Sequence, residues 1–206
     1  MTAVRWALPT EEVTPALTFT MPRVFWSRQM QWAPYFERVD NTASHPETWD
    51  FLAELVRDPS VKTVVEAGTY RGHGLFAMAE SLKLRGREGH IWSADVTDFG
   101  VTQVLDAMGL SDRVSWCHGR FEDMLAYVPT EIDVAFIDCS EDGNPGLRLD
   151  YLDLVMPRLS KHGLVVIDDC SDSPENLWPE AKELRVRCDL YLPRGHGLTI
   201  FQKRSV

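Results

Sequence analysis

Apolar positions along the chain switch repeatedly between helical and strand-like spacing. From Ser44 onward, Trp49, Leu52, Leu55 and Val56 fall at helical spacing. Ser44 is placed to cap that helix, with Glu47 completing a capping box, and Asp58-Pro59-Ser60 stops it. Val61, Thr63, Val64 and Val65 form a β-branched run that predicts a buried first strand, closed by Glu66. Leu75, Phe76, Met78 and Ala79 then carry a helix to about Lys83, before a turn at 85–89. The alternation continues with a strand at 90–95, a helix at 101–108, a strand at 113–117 and a short helix at 121–127. A fourth strand is predicted at 132–138, then a helix at 147–159 with Leu149, Leu152, Val155 and Met156 inward. Lys161-His162-Gly163 ends that helix, and a fifth strand follows at 164–168. A helix near 175–184 precedes two strands, 186–192 and 198–202, that read as a hairpin about 193–197.

Strands alternating with helices predict an α/β domain with a doubly wound sheet. Residues 1–43 have no clear period. They are rich in aromatic residues and methionine and are punctuated by Pro9, Pro15, Pro22 and Pro34. They form either a lid over an apolar substrate or an arm packed on the domain or on a second subunit. The organisation expected is thus an aromatic-rich extension, 1–43, followed by one domain, 44–206.

With 206 residues, 44% hydrophobic and 25% charged, the chain suits one soluble domain with a sizeable core. The formal net charge of −10 argues against partners that need a basic face, so no nucleic acid and no anionic membrane is expected. No apolar run is long enough for a transmembrane helix. The N-terminus lacks a basic start followed by an apolar signal core, so a cytoplasmic location is expected. Cys117, Cys139, Cys170 and Cys188 are widely spaced and read as free buried thiols.

The chemistry concentrates after the first strand, where Gly68, Gly72 and Gly74 follow Glu66. Strand, glycine turn, helix is the opening unit of a Rossmann-like sheet, and glycine there lets a backbone approach a nucleotide-like ligand. The spacing alone also fits a dinucleotide loop or a plain turn. Glu66 shifts the reading, since a carboxylate would repel a pyrophosphate but suits an amine and a sulfonium. With E-A-G-T-Y-R-G at 66–72, the chain resembles class I S-adenosylmethionine-dependent methyltransferases, whose first motif is E/D-x-G-x-x-x-G.

The resemblance covers about residues 45–203 and implies a seven-stranded sheet of order 3-2-1-4-5-7-6 with strand 7 antiparallel. It also implies a cofactor site of Glu66, Gly68, Thr69, Tyr70, Gly72 and Gly74 with Asp95 and Val96 after strand two. Asp95 would accept the ribose hydroxyls, or else it only caps the next element. Gly119-Arg120-Phe121-Glu122-Asp123-Met124-Leu125 resembles the G-x-F-E-D-T-L segment of the macrocin O-methyltransferase-like branch. There Gly119, Arg120, Phe121 and Glu122 would lie against the adenine, unless Phe121 and Leu125 are merely the core face of a helix.

Asp138, Asp168 and Asp169 close strands four and five at the sheet edge where ligands bind. Three converging carboxylates suit an oxygen-ligated cation such as Mg²⁺ rather than Zn²⁺. The arrangement resembles metal-dependent O-methyltransferases, which implies Asp138, Asp168 and Asp169 as metal ligands and Asp138 as a cofactor contact and catalytic base. Methyltransferases without metal also end strand four in Asp, so both readings stand. Asp138 is followed by Cys139-Ser140-Glu141-Asp142, so no histidine base is visible, and His45, His73 and His196 receive no role.

The function expected is transfer of a methyl group from S-adenosylmethionine to a hydroxyl of a small-molecule acceptor, assisted by Mg²⁺, with the aromatic arm as the expected means of pairing into a homodimer. The alternatives are a non-catalytic S-adenosylmethionine-binding protein and an NAD(P)-dependent short-chain oxidoreductase. The latter relies on Tyr-x-x-x-Lys, and none of the five tyrosines has a lysine four residues on.

Overall fold

The computed structural model describes residues 2–4, 17–19, 44, 46–86, 88–129, 131–139, 146–168, 186–190 and 198–202. Several expectations fall outside these residues: most of the aromatic extension, the helix at 175–184, the turn at 193–197, and Asp169, Cys170, His45 and His196. Two short strands in the extension, β1 (Thr2–Val4) and β2 (Leu17–Phe19), pair antiparallel.

The domain follows as α1 (Pro46–Leu55), β3 (Thr63–Ala67), α2 (His73–Arg85), β4 (His90–Asp95), α3 (Val101–Met108) and β5 (Val114–His118). Then come α4 (Phe121–Leu125), β6 (Ile132–Ile137), α5 (Gly146–Val155), β7 (Leu159–Asp168), β8 (Val186–Leu190) and β9 (Leu198–Gln202). The larger sheet has the order β5-β4-β3-β6-β7-β9-β8. Strands β3 to β7 pair in parallel, and β9 runs antiparallel to both β7 and β8. This is the expected Rossmann-like topology, with the last strand inserted next to β7.

Strands buried on both faces explain the near-continuous apolar runs. Val64, Val134, Phe136 and Val166 point to one face, where Leu52 of α1 and Leu75, Phe76, Met78 and Leu82 of α2 cover them. Val65, Ala135, Ile137, Val165 and Ile167 point to the other, under Phe121 and Leu125 of α4 and Leu152 and Val155 of α5. Leu149 and Met156 pack against this second cluster while only partly buried.

Five local expectations change. Helix α1 begins at Pro46, so Ser44 sits ahead of the cap position, and its hydroxyl accepts from Trp49 Nε1 at 2.8 Å. Strand β3 begins at Thr63, where Asp133 Oδ2 accepts from the backbone N–H groups of Lys62 and Thr63 at 2.8 and 3.0 Å. Helix α5 stops at Val155 and tightens into a 3₁₀ turn over Met156–Arg158, where Pro157 lacks the N–H an α-helix needs. Strand β7 already starts at Leu159, so Lys161-His162-Gly163 lies inside it rather than in a turn. Its register against β6 shifts between Ile132 and Val134, and a Cβ at Gly163 would come within 2.7 Å of the Ile132 carbonyl oxygen. Cys117 and Cys139 are free thiols, but both are half-buried rather than fully enclosed.

Candidate functional site

The C-terminal ends of β3, β4, β5 and β6 are stitched together by backbone hydrogen bonds. Gly68 N–H donates to Ala94 O at 3.0 Å, Asp138 N–H to Ala67 O at 2.9 Å, and Gly119 N–H to Asp95 O at 2.9 Å. Gly68 adopts φ +89°, and a Cβ there would run into the Asp138 carbonyl, 2.7 Å from its carbon. Only glycine allows the β3 loop to lie this close to the end of β6. Gly72, at φ +83°, ends the loop and caps α2.

Between these glycines Tyr70 holds a left-handed backbone, φ 47°, which is costly for a residue with a Cβ. Its N–H donates to Asp95 Oδ2 at 2.6 Å, while Thr97 N–H donates to Asp95 Oδ1 at 2.8 Å. Asp95 therefore organises the loops on both sides of it. A carboxylate has about four lone-pair sites, so these two bonds leave capacity for a ligand hydroxyl.

A cleft of about 340 Å³ opens over these strand ends. Of the residues expected at a cofactor, Glu66, Gly68, Thr69, Tyr70, Gly74, Asp95, Val96, Gly119, Phe121 and Asp138 line it. Gly72 shapes the loop without lining the cleft. Arg120 and Glu122 also do not line it; the exposed Arg120 side chain pairs with the half-buried Glu122 at 3.3 Å.

Glu66 is 1% exposed, and Ser93 Oγ donates to its Oε2. Burial pushes its carboxyl up to about 8, against the lowering effect of the Ser93 hydrogen bond and with a further push from the Asp95 charge. Phe121 is buried and its ring meets Tyr151 at 4.8 Å. Tyr70 and Phe99, which also line the cleft, meet edge-on at 4.8 Å, with Arg71 Cζ 5.5 and 5.9 Å from their ring centres.

Nine further residues line the cleft without having been assigned to it: Ser44, His73, Ala94, Thr97, Phe99, Phe136, Cys139, Leu147 and Tyr151. His73 was visible in the loop. Its setting was not: the ring stacks on Trp49 at 4.5 Å with planes 7° apart, and Trp49 in turn bonds Ser44. Phe99, Leu147 and Tyr151 carried no signal, because apolar residues in loops and helices read as core.

Asp138 follows β6 and Asp168 ends β7, and the pairing of Ile137 with Ile167 sets the two at neighbouring strand ends. Asp168 is buried, and it does not line the cleft. Among the described residues no three His, Cys, Asp or Glu side chains gather as a metal site.

The sequence profile of a family described as "Methyltransferase domain" matches residues 65–170, slightly more than half of the chain. The chain belongs to this methyltransferase-domain family. The matched stretch runs from β3 through the end of β7 and so contains Glu66, Asp95, Asp138 and Asp168. By sequence, the methyltransferase matches none of the curated proteins.

Solved structures show the same fold at low identity. The SAH-bound Podospora anserina methyltransferase PaMTH1 superposes with a TM-score of 0.65 at 18% identity, over 94% of this chain and 100% of that one. The O-methyltransferase TomG from Streptomyces achromogenes, in complex with SAM and involved in tomaymycin synthesis, gives 0.64 at 17% identity, over 92% and 93%. The O-methyltransferase from Bacillus cereus in complex with SAH gives 0.66 at 15% identity, over 89% and 92%. The fold of this methyltransferase is thus that of class I S-adenosylmethionine-dependent enzymes. No helix among its described residues is long and apolar enough to cross a membrane.

Proposed function

We propose that this methyltransferase moves a methyl group from S-adenosylmethionine to a hydroxyl oxygen of a small molecule. The observation that carries the reading is the convergence of Glu66, Asp95 and Asp138 from three strand ends on one cleft, beside a loop that only glycine can build. Oxygen as the methylated atom is supported by the O-methyltransferases among the structural neighbours.

In this reading Glu66 faces the cationic amino-acid end of the cofactor, Asp95 takes the ribose hydroxyls, and Val96 and Phe121 flank the adenine. Glycine backbone at 68 and 74 lets the ligand lie close to the loop. The acceptor oxygen attacks the methyl carbon in line with the departing sulfur. The C–O bond forms as the C–S bond breaks, and the sulfonium becomes a neutral thioether. The hydroxyl proton passes to the Asp138 carboxylate, acting as base. The donor is already activated, so the protein's task is mainly positioning and exclusion of water.

Magnesium belongs to the same proposal. The donor set at 138 and 168 is all carboxylate oxygen, which suits a hard cation, and the register of β6 and β7 brings the two residues to adjacent strand ends. Asp138 would hold the ion from the cleft; Asp168, buried and outside the cleft lining, would join it with Asp169 only by turning its carboxylate towards Asp138. A divalent cation bound there would lower the pKa of the acceptor hydroxyl.

The test is incubation of chelator-treated protein with methyl-labelled S-adenosylmethionine and a panel of hydroxylated small molecules, with and without Mg²⁺. Label is expected on oxygen, faster with Mg²⁺, and lost in Asp138→Ala. Label on nitrogen would refute O-methylation, and equal rates with and without Mg²⁺ would refute the role of the ion.

A further inference from the structure

Glu66 is held by a chain of two hydroxyls. Ser93 stands opposite Glu66 in the parallel pair β3–β4 and donates to its Oε2. Ser93 Oγ also lies 2.5 Å from Thr69 Oγ1. All three residues are buried. A hydroxyl has one proton to give. When Glu66 is ionised Ser93 gives its proton to the carboxylate, so the Thr69 hydroxyl donates to Ser93 and the chain runs from Thr69 through Ser93 to Glu66.

The other carboxylate oxygen faces the start of α2. A Cβ added at Gly74 would lie 3.3 Å from Glu66 Oε1, and Gly74 lines the cleft. One oxygen is thus tied back into the sheet while the other lies beside a cleft residue that has no side chain. A buried carboxylate with one oxygen fixed in this way has little freedom to turn away from a ligand.

We propose that Ser93 and Thr69 are positioning residues, which hold the Glu66 carboxylate with Oε1 turned to the cleft and thereby set affinity for the cationic amino-acid end of the ligand. The inference rests on the S-adenosylmethionine reading above and deepens it. Neither hydroxyl is required to touch the ligand for this role; each acts through Glu66. The ionisable side chains that share the pocket with Glu66 are Asp95 on β4, Tyr70 in the loop after β3, His73 at the start of α2, Asp138 and Cys139 beyond β6, and Tyr151 on α5. Burial keeps the empty Glu66 carboxyl protonated at neutral pH. A cationic ligand favours the ionised form, so its arrival releases a proton to solvent. Losing the Ser93 donor makes that ionisation harder.

The test compares two ligands by calorimetry. S-adenosylhomocysteine carries the amino-acid end, and 5′-methylthioadenosine lacks it. Ser93→Ala should weaken S-adenosylhomocysteine about tenfold, as expected for a hydrogen bond to a charged group, and leave 5′-methylthioadenosine unchanged. The pH at which S-adenosylhomocysteine affinity reaches its plateau should move upward. In a Glu66→Gln background Ser93→Ala should have no further effect. Thr69→Val should weaken binding in the same selective way, and Thr69→Ser should recover it; this pair carries the test if Ser93→Ala does not fold. Equal weakening of both ligands, or losses from Ser93→Ala and Glu66→Gln that simply add, would overturn the inference and leave Ser93 as packing. Failure of the wild-type protein to bind either ligand would overturn the functional reading itself.

Discussion

Glu66 makes the stability of the empty protein depend on pH in an unusual direction. Its carboxyl shifts from an ordinary 4.5 to about 8 because the side chain is almost wholly removed from water. The folded chain therefore holds this proton more tightly than the unfolded chain does. The stability contributed by Glu66 is full below about pH 4.5 and is lost as the pH rises through about 8. A shift of that size corresponds to roughly 4–5 kcal/mol across the window, at about 1.4 kcal/mol per unit. Glu66→Gln keeps the shape and an acceptor for Ser93 but cannot ionise. Urea unfolding of both proteins at pH 5 and pH 8.5, without ligand, isolates the effect. The variant should gain on the wild type by about 3 kcal/mol or more between the two pH values. An unchanged difference would mean that Glu66 is already ionised at pH 5, and the desolvation argument would fall.

Gly68→Ala places a side chain at φ +89° against the Asp138 carbonyl, which is backbone and cannot swing aside; a loss of about 2 kcal/mol or more in urea unfolding is expected, and unaltered stability would contradict the loop geometry. Gly74→Ala puts a methyl group 3.3 Å from Glu66 Oε1; S-adenosylhomocysteine binding should fall by about tenfold, roughly the worth of one charge-assisted contact, while a wild-type dissociation constant by calorimetry would show that this oxygen is not where the ligand lies. Leu152→Ala empties a buried position in the layer between α5 and the sheet, and thermal or urea unfolding should show a loss of about 2–5 kcal/mol.

The sequence carried the fold where periodicity and glycine punctuation agreed. Strand β4, helix α3 and strand β9 lie where the pattern put them, since each has a clean apolar period and a glycine or polar break beside it. It misled at the start of β7. Lys161, His162 and Gly163 look like a turn, yet pairing with β6 extends the strand through them at the point where the register shifts. Ser44 fits a capping box by spacing, but Pro46 starts the helix and the hydroxyl bonds Trp49 instead. Of the site, the acids and glycines were legible because strand ends and tight turns restrict residue type. The ring stack of Trp49 on His73, and the hydroxyl chain from Thr69 through Ser93, join segments that are far apart in sequence. No local pattern announces such contacts.

The most direct measurement is calorimetric titration of S-adenosylhomocysteine into the purified, chelator-treated protein, with NAD(P) as the competing candidate. The account predicts one S-adenosylhomocysteine per chain, binding that Asp95→Ala weakens, and no heat from NAD(P). Binding of NAD(P) with none of S-adenosylhomocysteine would contradict it.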